Sequence, residues 1–481
     1  MLSGRLSAFL IYFAILLAIG LISRRRMKND ADFVMGNRSV NFWLTALSAH
    51  SSDMSAWLFM GFPGIIFLDG MPQAWIAIGL VLGMFANWKL VAPGLRRMTE
   101  SYDSYTLSTF FERRFHDHSG TIRLLTGILA ILFLTAYLTA LVIAMGKVIP
   151  SLFPISYQTS ILISIPVLIF YVFLGGFITV AWMDCFQAIF LICVVLIVPF
   201  VAYNAVGGWD VITQIAAAKN VPISIFTEDW TALIPSLLFG LGWGLGYFGQ
   251  PHIITKFMGV RDPSMLKKSM ILGMSWQILA LSSAVFIGLI GIAYFPTGLY
   301  DHEMVFVEMV KLLFSPFVAS FLLCAVIAAS MSTMDSMVLV AGSIFSEDIM
   351  RKLTKHPLGS KELLKMARIG VVLIPLISMV LALFYEKGMI LDIVGYAWAG
   401  LGATFGPIVL AALYSKSVNK YGVICGVAVG GIVAATWPLY GHYIVPITLL
   451  PIIPGFIASS IVMYVVSKMT KSKPGEKENV S

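Results

Sequence analysis

Apolar runs of about 20 residues, the length a helix needs to cross a hydrocarbon core of about 30 Å, recur along the whole chain. Lipid offers no hydrogen-bond partner, so each run must satisfy its own backbone as a helix or belong to a closed barrel. The runs fall at 7–23, 42–68, 74–93, 124–149, 157–175, 178–203, 231–249, 270–295, 313–345, 369–386, 389–413, 421–439 and 443–467. They predict an all-α membrane protein of about 13 transmembrane helices, a single domain over 1–467 with a short polar tail at 468–481. Charge supports this: 12% of the 481 residues are charged, against about a quarter in a soluble domain.

Lys and Arg set the orientation. Of 32, 27 lie in alternate segments at 24–40, 89–123, 250–268, 346–368, 414–420 and from Lys468 onward, leaving Arg5, Lys147, Lys219, Lys311 and Lys387 on the other side. The positive-inside rule places the first set in the cytoplasm, with the N-terminus outside and the C-terminus inside. The first run has no small-residue cleavage site and is followed by Ser23-Arg24-Arg25-Arg26, which predicts a retained helix. The net charge of +8 therefore reads as membrane topology, with no nucleic-acid partner. Cys185, Cys193, Cys324 and Cys425 lie inside apolar runs without the paired spacing of a zinc or redox motif.

Polar residues in mid-span are expensive and mark candidate sites. The second run is interrupted by His50-Ser51-Ser52-Asp53-Met54-Ser55. Ser and Asp compete for backbone hydrogen bonds, so this stretch can unwind and expose carbonyls to a cation; a polar interhelical contact is the alternative. The seventh run, Gly242-Trp243-Gly244-Leu245-Gly246-Tyr247-Phe248-Gly249-Gln250-Pro251-His252, reads as a second broken helix, or as glycines serving close helix packing. The two interruptions lie five spans apart, the spacing expected of inverted repeats with a substrate site between them. In the ninth run, Ser332, Thr333 and Ser336 put hard oxygen ligands within a helical turn, suited to sodium, although each hydroxyl can instead bond the preceding turn. Asp184 is a further intramembrane acid, a cation ligand or half of a structural pair.

These motifs, Ser52-Asp53-Met54-Ser55, Ala74-Trp75-Ile76-Ala77-Ile78-Gly79-Leu80, Gly242–His252 and Met331-Ser332-Thr333, resemble those of the solute:sodium symporter family, and within it the branch that carries proline. The likeness runs from Gly36-Asn37-Arg38-Ser39 to Tyr396-Ala397-Trp398-Ala399-Gly400. It implies a LeuT-type core of 5+5 inverted repeats, roughly 42–413, with one extra N-terminal and two extra C-terminal helices. It also implies sodium-coupled uptake of an amino acid, L-proline first, across a bacterial cell (inner) membrane, with no cofactor besides the coupling ion and no obligatory protein partner. The residues it assigns to sodium are Ser51, Met54, Ala329, Ser332 and Thr333, with Asp53 supporting them electrostatically. It assigns the substrate to Ser55, Trp57, Tyr137, Trp243, Tyr247 and Pro251, and a second cation position to Asp184, Asp335 and Ser336. Two positions depart from the proline branch: Ala56 stands where glycine is expected, and His50 where a small residue is.

The rival readings are a symporter for another small carboxylate or vitamin, proton coupling, and, from a different class, a channel or a transporter-like sensor. No filter loops or charged rings speak for a channel, and no nucleophile–base or metal constellation speaks for an enzyme.

Overall fold

Helix is what the apolar runs demand, and helix is what they form. The computed structural model describes residues 2–24, 38–226, 230–354, 358–385, 388–445 and 449–471. Among these, the regular structure is helical apart from an isolated parallel bridge between Val40 and Val260. The principal helices are α1 (Leu2–Arg24), α2 (Phe42–Asp53), α3 (Gly61–Asp69), α4 (Trp75–Ala86), α5 (Thr121–Leu152), α6 (Tyr157–Val206) and α7 (Trp230–Gly246). They continue with α8 (Pro251–Met258), α9 (Leu266–Tyr294), α10 (Pro316–Ser343), α11 (Ser360–Phe384), α12 (Ile390–Tyr414), α13 (Lys420–Ile444) and α14 (Ile452–Met469). Most of the polar tail, from 472 onward, and the 36–37 end of the resemblance lie outside the described residues.

Ten helices among the described residues have the length and hydropathy to cross a bilayer. Three shorter apolar stretches, Ala56–Asp69, Tyr157–Phe170 and Leu233–Gly249, stand where the second, fifth and seventh runs were expected, so thirteen is an approximate count. The fifth and sixth runs join in α6, whose 50 residues would span about 75 Å if straight, far more than a bilayer. Gly176, at φ 57° and ψ −164°, breaks the run in a conformation that only glycine adopts readily.

The packing places the two interruptions at the centre. α2 lies against α6, α9, α10 and α8, while α1 covers α6 and α10 from outside. α13 and α14 pack on each other and against α12. α4 and α7 meet backbone to backbone: a Cβ on Gly79 would lie 1.8 Å from the Gly240 carbonyl oxygen, and one on Gly83 2.2 Å from that of Gly244. This spacing of small residues every fourth position is a close-packing device of membrane helices. Both readings of the seventh run thus hold for different glycines.

The ends of the bundle are tied by charge. Beside the basic loops, Arg123 bridges Glu112 (3.2 Å), Glu347 (3.6 Å) and Asp348 (3.0 Å). At the opposite end Lys147 holds Asp301 and Glu303, each at 3.0 Å, and Glu303 also accepts from the Leu391 amide at 3.1 Å.

Candidate functional site

The first break begins where the serines crowd. α2 ends at Asp53; Met54 (φ −85°, ψ 79°) and Ser55 (φ −79°, ψ −164°) leave helical geometry, and the chain makes a 3-10 turn, Ala56–Leu58, before α3 begins. The Asp53 carbonyl accepts from the Ser55 amide at 3.1 Å and from Trp57 Nε1 at 3.3 Å. The second break follows α7: a 3-10 turn over Tyr247–Gly249, an extended Gln250, then Pro251 opening α8. Proline suits that first helical position, where its missing N–H costs nothing.

Beside the first break, α10 brings hard oxygens together. Ser332 Oγ donates to the Ser51 carbonyl at 2.9 Å and to the Ala329 carbonyl at 3.1 Å, and Thr333 Oγ1 to the Ala329 carbonyl at 3.2 Å. Two carbonyls and two hydroxyls thus converge from two helices, a donor set that suits a hard monovalent cation. Met54 sits at the same break. Asp53 is fully buried next to this cluster; its Oδ2 accepts from Tyr247 Oη at 2.5 Å, and Tyr247 Oη accepts in turn from Gln277 Nε2 at 2.9 Å. Tyr247, expected at the substrate, therefore also joins the second break to the acid of the first.

The other face of the breaks is aromatic. Trp57 stacks on Trp243 with ring centroids 6.2 Å apart, and Trp398 packs against Trp243 (6.0 Å) and edge-on to Tyr247 (5.1 Å). Trp398 Nε1 donates to the Trp243 carbonyl at 2.9 Å, fixing that wall. Among these rings are buried polar atoms without a hydrogen bond: Ser55 Oγ, Trp243 Nε1 and both ring nitrogens of His252. Tyr137, edge-on to His252 at 5.9 Å, lies beside Ser55, yet neither hydroxyl completes a hydrogen bond. Buried polar atoms are nearly always satisfied, so this cluster of exceptions is a candidate place for a polar ligand. Pro251 and Thr255 continue into a cavity lined also by Thr106, Phe177, Ser343 and Phe405, between the second break and the basic loops.

Asp184, Asp335 and Ser336 also come together, in a separate cluster that includes Ser48 and Ser52. Lys256 Nζ reaches Asp184 Oδ2 and Ser336 Oγ, each at 2.9 Å. Lys256 was assigned to a basic loop from its sequence; α8 instead carries it inside, with its side chain 3% exposed. Of the two roles open to Asp184, the pair is the one observed. His50 does not face the site: its Nε2 accepts from Trp88 Nε1 at 3.3 Å, and Gly273 leaves the room it fills. Sequence reasoning missed Gln277 and Trp398 as well. Gln277 is an amide in mid-span, a detectable signal, and Trp398 sits within a motif already noticed for its likeness.

Residues 33–430 match the sodium:solute symporter family. The chain belongs to that family. A sodium/proline symporter of Staphylococcus aureus is 39% identical over 477 residues, covering 97% of this chain and 92% of that one. The protein of the same description from strain JH9 is 39% identical over 478 residues, with the same coverage. Among solved structures, a sodium-coupled sialic acid symporter in a substrate-bound, outward-open state superposes with a TM-score of 0.83 at 16% identity, covering 97% of this chain and 98% of that one. Mhp1, a nucleobase-cation-symport-1 transporter, gives 0.58 at 13% identity, over 89% and 92% of the two chains. MhsT in complex with L-phenylalanine gives 0.57 at 13%, over 90% and 98%. The architecture is the LeuT-type fold shared by these transporters.

Proposed function

We propose that this chain imports L-proline together with sodium, by alternating access, in the cytoplasmic membrane of a bacterial cell. The observation that carries this reading is the meeting of the two broken helices, with hard oxygens on one side and unsatisfied donors among aromatic rings on the other. Sodium would be held by the carbonyls of Ser51, Met54 and Ala329 and the hydroxyls of Ser332 and Thr333, with Asp53 countering its charge. A pyrrolidine ring is small and apolar, suited to the walls of Trp57, Trp243 and Tyr247. Its carboxylate needs donors, which Ser55, Tyr137, Trp243 and His252 supply. The named substrate of the 39%-identical relatives supports the same choice.

Sodium binding draws α2 and α10 together at the first break, and the Asp53–Tyr247 bond carries that ordering into the substrate wall. Each ligand then strengthens the other by the same factor, as linkage requires. The cavity below Pro251 leads toward the basic loops, which the positive-inside rule assigns to the cytoplasm. Both support an N-terminus outside and a solute exit inside.

The test is uptake of radiolabelled L-proline into proteoliposomes under an inward sodium gradient, with potassium replacing sodium as control. Sodium-dependent accumulation that other amino acids compete poorly supports the proposal. Saturable sodium-driven flux of a different solute alone overturns the substrate, and flux that follows pH without sodium overturns the coupling ion.

A further inference from the structure

The cluster around Asp184 has the oxygens of a cation site and already contains a cation. Asp184 Oδ2 accepts from Ser48 Oγ (2.6 Å), Ser52 Oγ (3.2 Å) and Lys256 Nζ (2.9 Å), and Ser336 Oγ takes a second Lys256 proton at 2.9 Å while bonding Ser52 Oγ at 2.8 Å. Asp335 Oδ1 accepts from Ser336 Oγ at 3.3 Å on the far side. The oxygens come from α2, α6 and α10; the ammonium comes from α8, directly after the second break. Lys256 also lies 5.3 Å over the Phe177 ring, so its charge is met on the apolar side too. The carboxylate, the serines and the lysine are all buried.

An ammonium group and a sodium ion carry the same charge and both bind hard oxygens. A sodium ion in this position would tie three helices together when bound and would have to be released in every cycle. The lysine ties Asp184 and Ser336 directly, and the serines of α2 through Asp184, as part of the chain. We propose that Lys256 is a tethered replacement for a second coupling ion: its ammonium fills the site formed by Asp184, Ser48, Ser52 and Ser336, so that one sodium ion accompanies each solute. This rests on the symporter reading above. Accumulation is then bounded by the first power of the sodium gradient and not by its square. The tether also fixes α8 to α6 and α10 and, through the bonds of Ser48 and Ser52 to Asp184, to α2, joining the inner halves of the two broken helices at a point that no ion has to visit.

Removing the tether exposes the site it fills. In Lys256→Ser the ammonium and its stem are gone, Asp184 has lost its counter-charge, and Asp184 Oδ1, which carries no hydrogen bond, becomes available along with Oδ2. The experiment measures radiolabelled sodium bound per purified full-length protein, together with the sodium order of solute uptake in proteoliposomes. The wild type and Lys256→Arg are expected to bind one sodium ion with first-order activation; Lys256→Ser is expected to bind two, with activation approaching second order. Binding does not require transport, so an inactive variant is still informative. The neutral pair Lys256→Ser with Asp184→Asn, which relieves the buried charge, should return to one. Two sodium ions on the wild type, or one on Lys256→Ser, overturns the proposal. A wild type that binds no sodium refutes the symporter reading itself and is distinct from both.

Discussion

Tyr247→Phe separates conformational coupling from simple contact. The hydroxyl donates to Asp53 at 2.5 Å and accepts from Gln277 at 2.9 Å, and all three residues are fully buried. Deleting it removes a hydrogen bond to a charged group, about 1.5–3 kcal/mol, and leaves the Gln277 amide unsatisfied. Taking about 2 kcal/mol as the loss from the state in which both breaks are ordered, and about 1.4 kcal/mol per factor of ten, the affinities should fall roughly 30-fold. Because the bond joins the sodium-side acid to the substrate wall, sodium and solute should weaken together. The assay is a pair of titrations in proteoliposomes: uptake against sodium at fixed solute, and against solute at fixed sodium. Tyr137→Phe is the control, expected to weaken solute alone. The reasoning fails if Tyr247→Phe leaves sodium activation unchanged while solute affinity drops, since Tyr247 would then be a contact and not a link.

Asp53→Asn should raise the half-saturating sodium concentration tenfold or more (about 1.4 kcal/mol per decade) at wild-type expression; an unaltered sodium curve would contradict the electrostatic role. Gly79→Ala places a Cβ 1.8 Å from the Gly240 oxygen, and overpacking of that kind costs about 1–3 kcal/mol; thermal unfolding in detergent should show a lowered Tm, and an unchanged Tm would refute the α4–α7 seam. Asp117, in the loop before α5, accepts from the Ile122 amide at 2.8 Å and from the amide and hydroxyl of Ser119. Burial alone would raise its pKa, but these hydrogen bonds outweigh burial and hold the carboxyl below the usual range. Its stabilisation is therefore present at neutral pH and lost as pH falls through the carboxylate range. Asp117→Ala should cost about 1 kcal/mol at neutral pH, as loss of a cap does, and the deficit should shrink on acidification; a deficit independent of pH would count against it.

The helices and both breaks were legible because each leaves a local mark: a run of apolar residues, five polar residues crowded into the second run, glycines closed by a proline in the seventh. The hydroxyls of Ser332 and Thr333, proposed to hold sodium, were legible as a cluster for the same reason, sharing a turn of α10. What stayed hidden depends on partners far apart in the chain. Lys256 looked like a loop lysine because its charge suited the basic side, and its partner Asp184 is 72 residues away. Trp398 meets Trp243 across 155 residues and Gln277 meets Tyr247 across 30; neither pairing has a period. His50, a departure from the expected small residue, turned out to be matched by a missing side chain at Gly273, a compensation visible only once α2 and α9 are packed.

The glycine seam between α4 and α7 bears on how the molecule can move. Side chains that interdigitate can trade partners as one helix slides past another, but two backbones in contact have nothing to trade. Any slippage there drives a carbonyl into a neighbouring main chain. α4 and α7 must therefore travel as one rigid slab, carrying Trp243 with them. The play needed to open the pocket alternately to either side has to be found elsewhere, in the layers where bulky residues meet, and above all in the short non-helical residues of the two breaks, which act as the joints on which the slab turns.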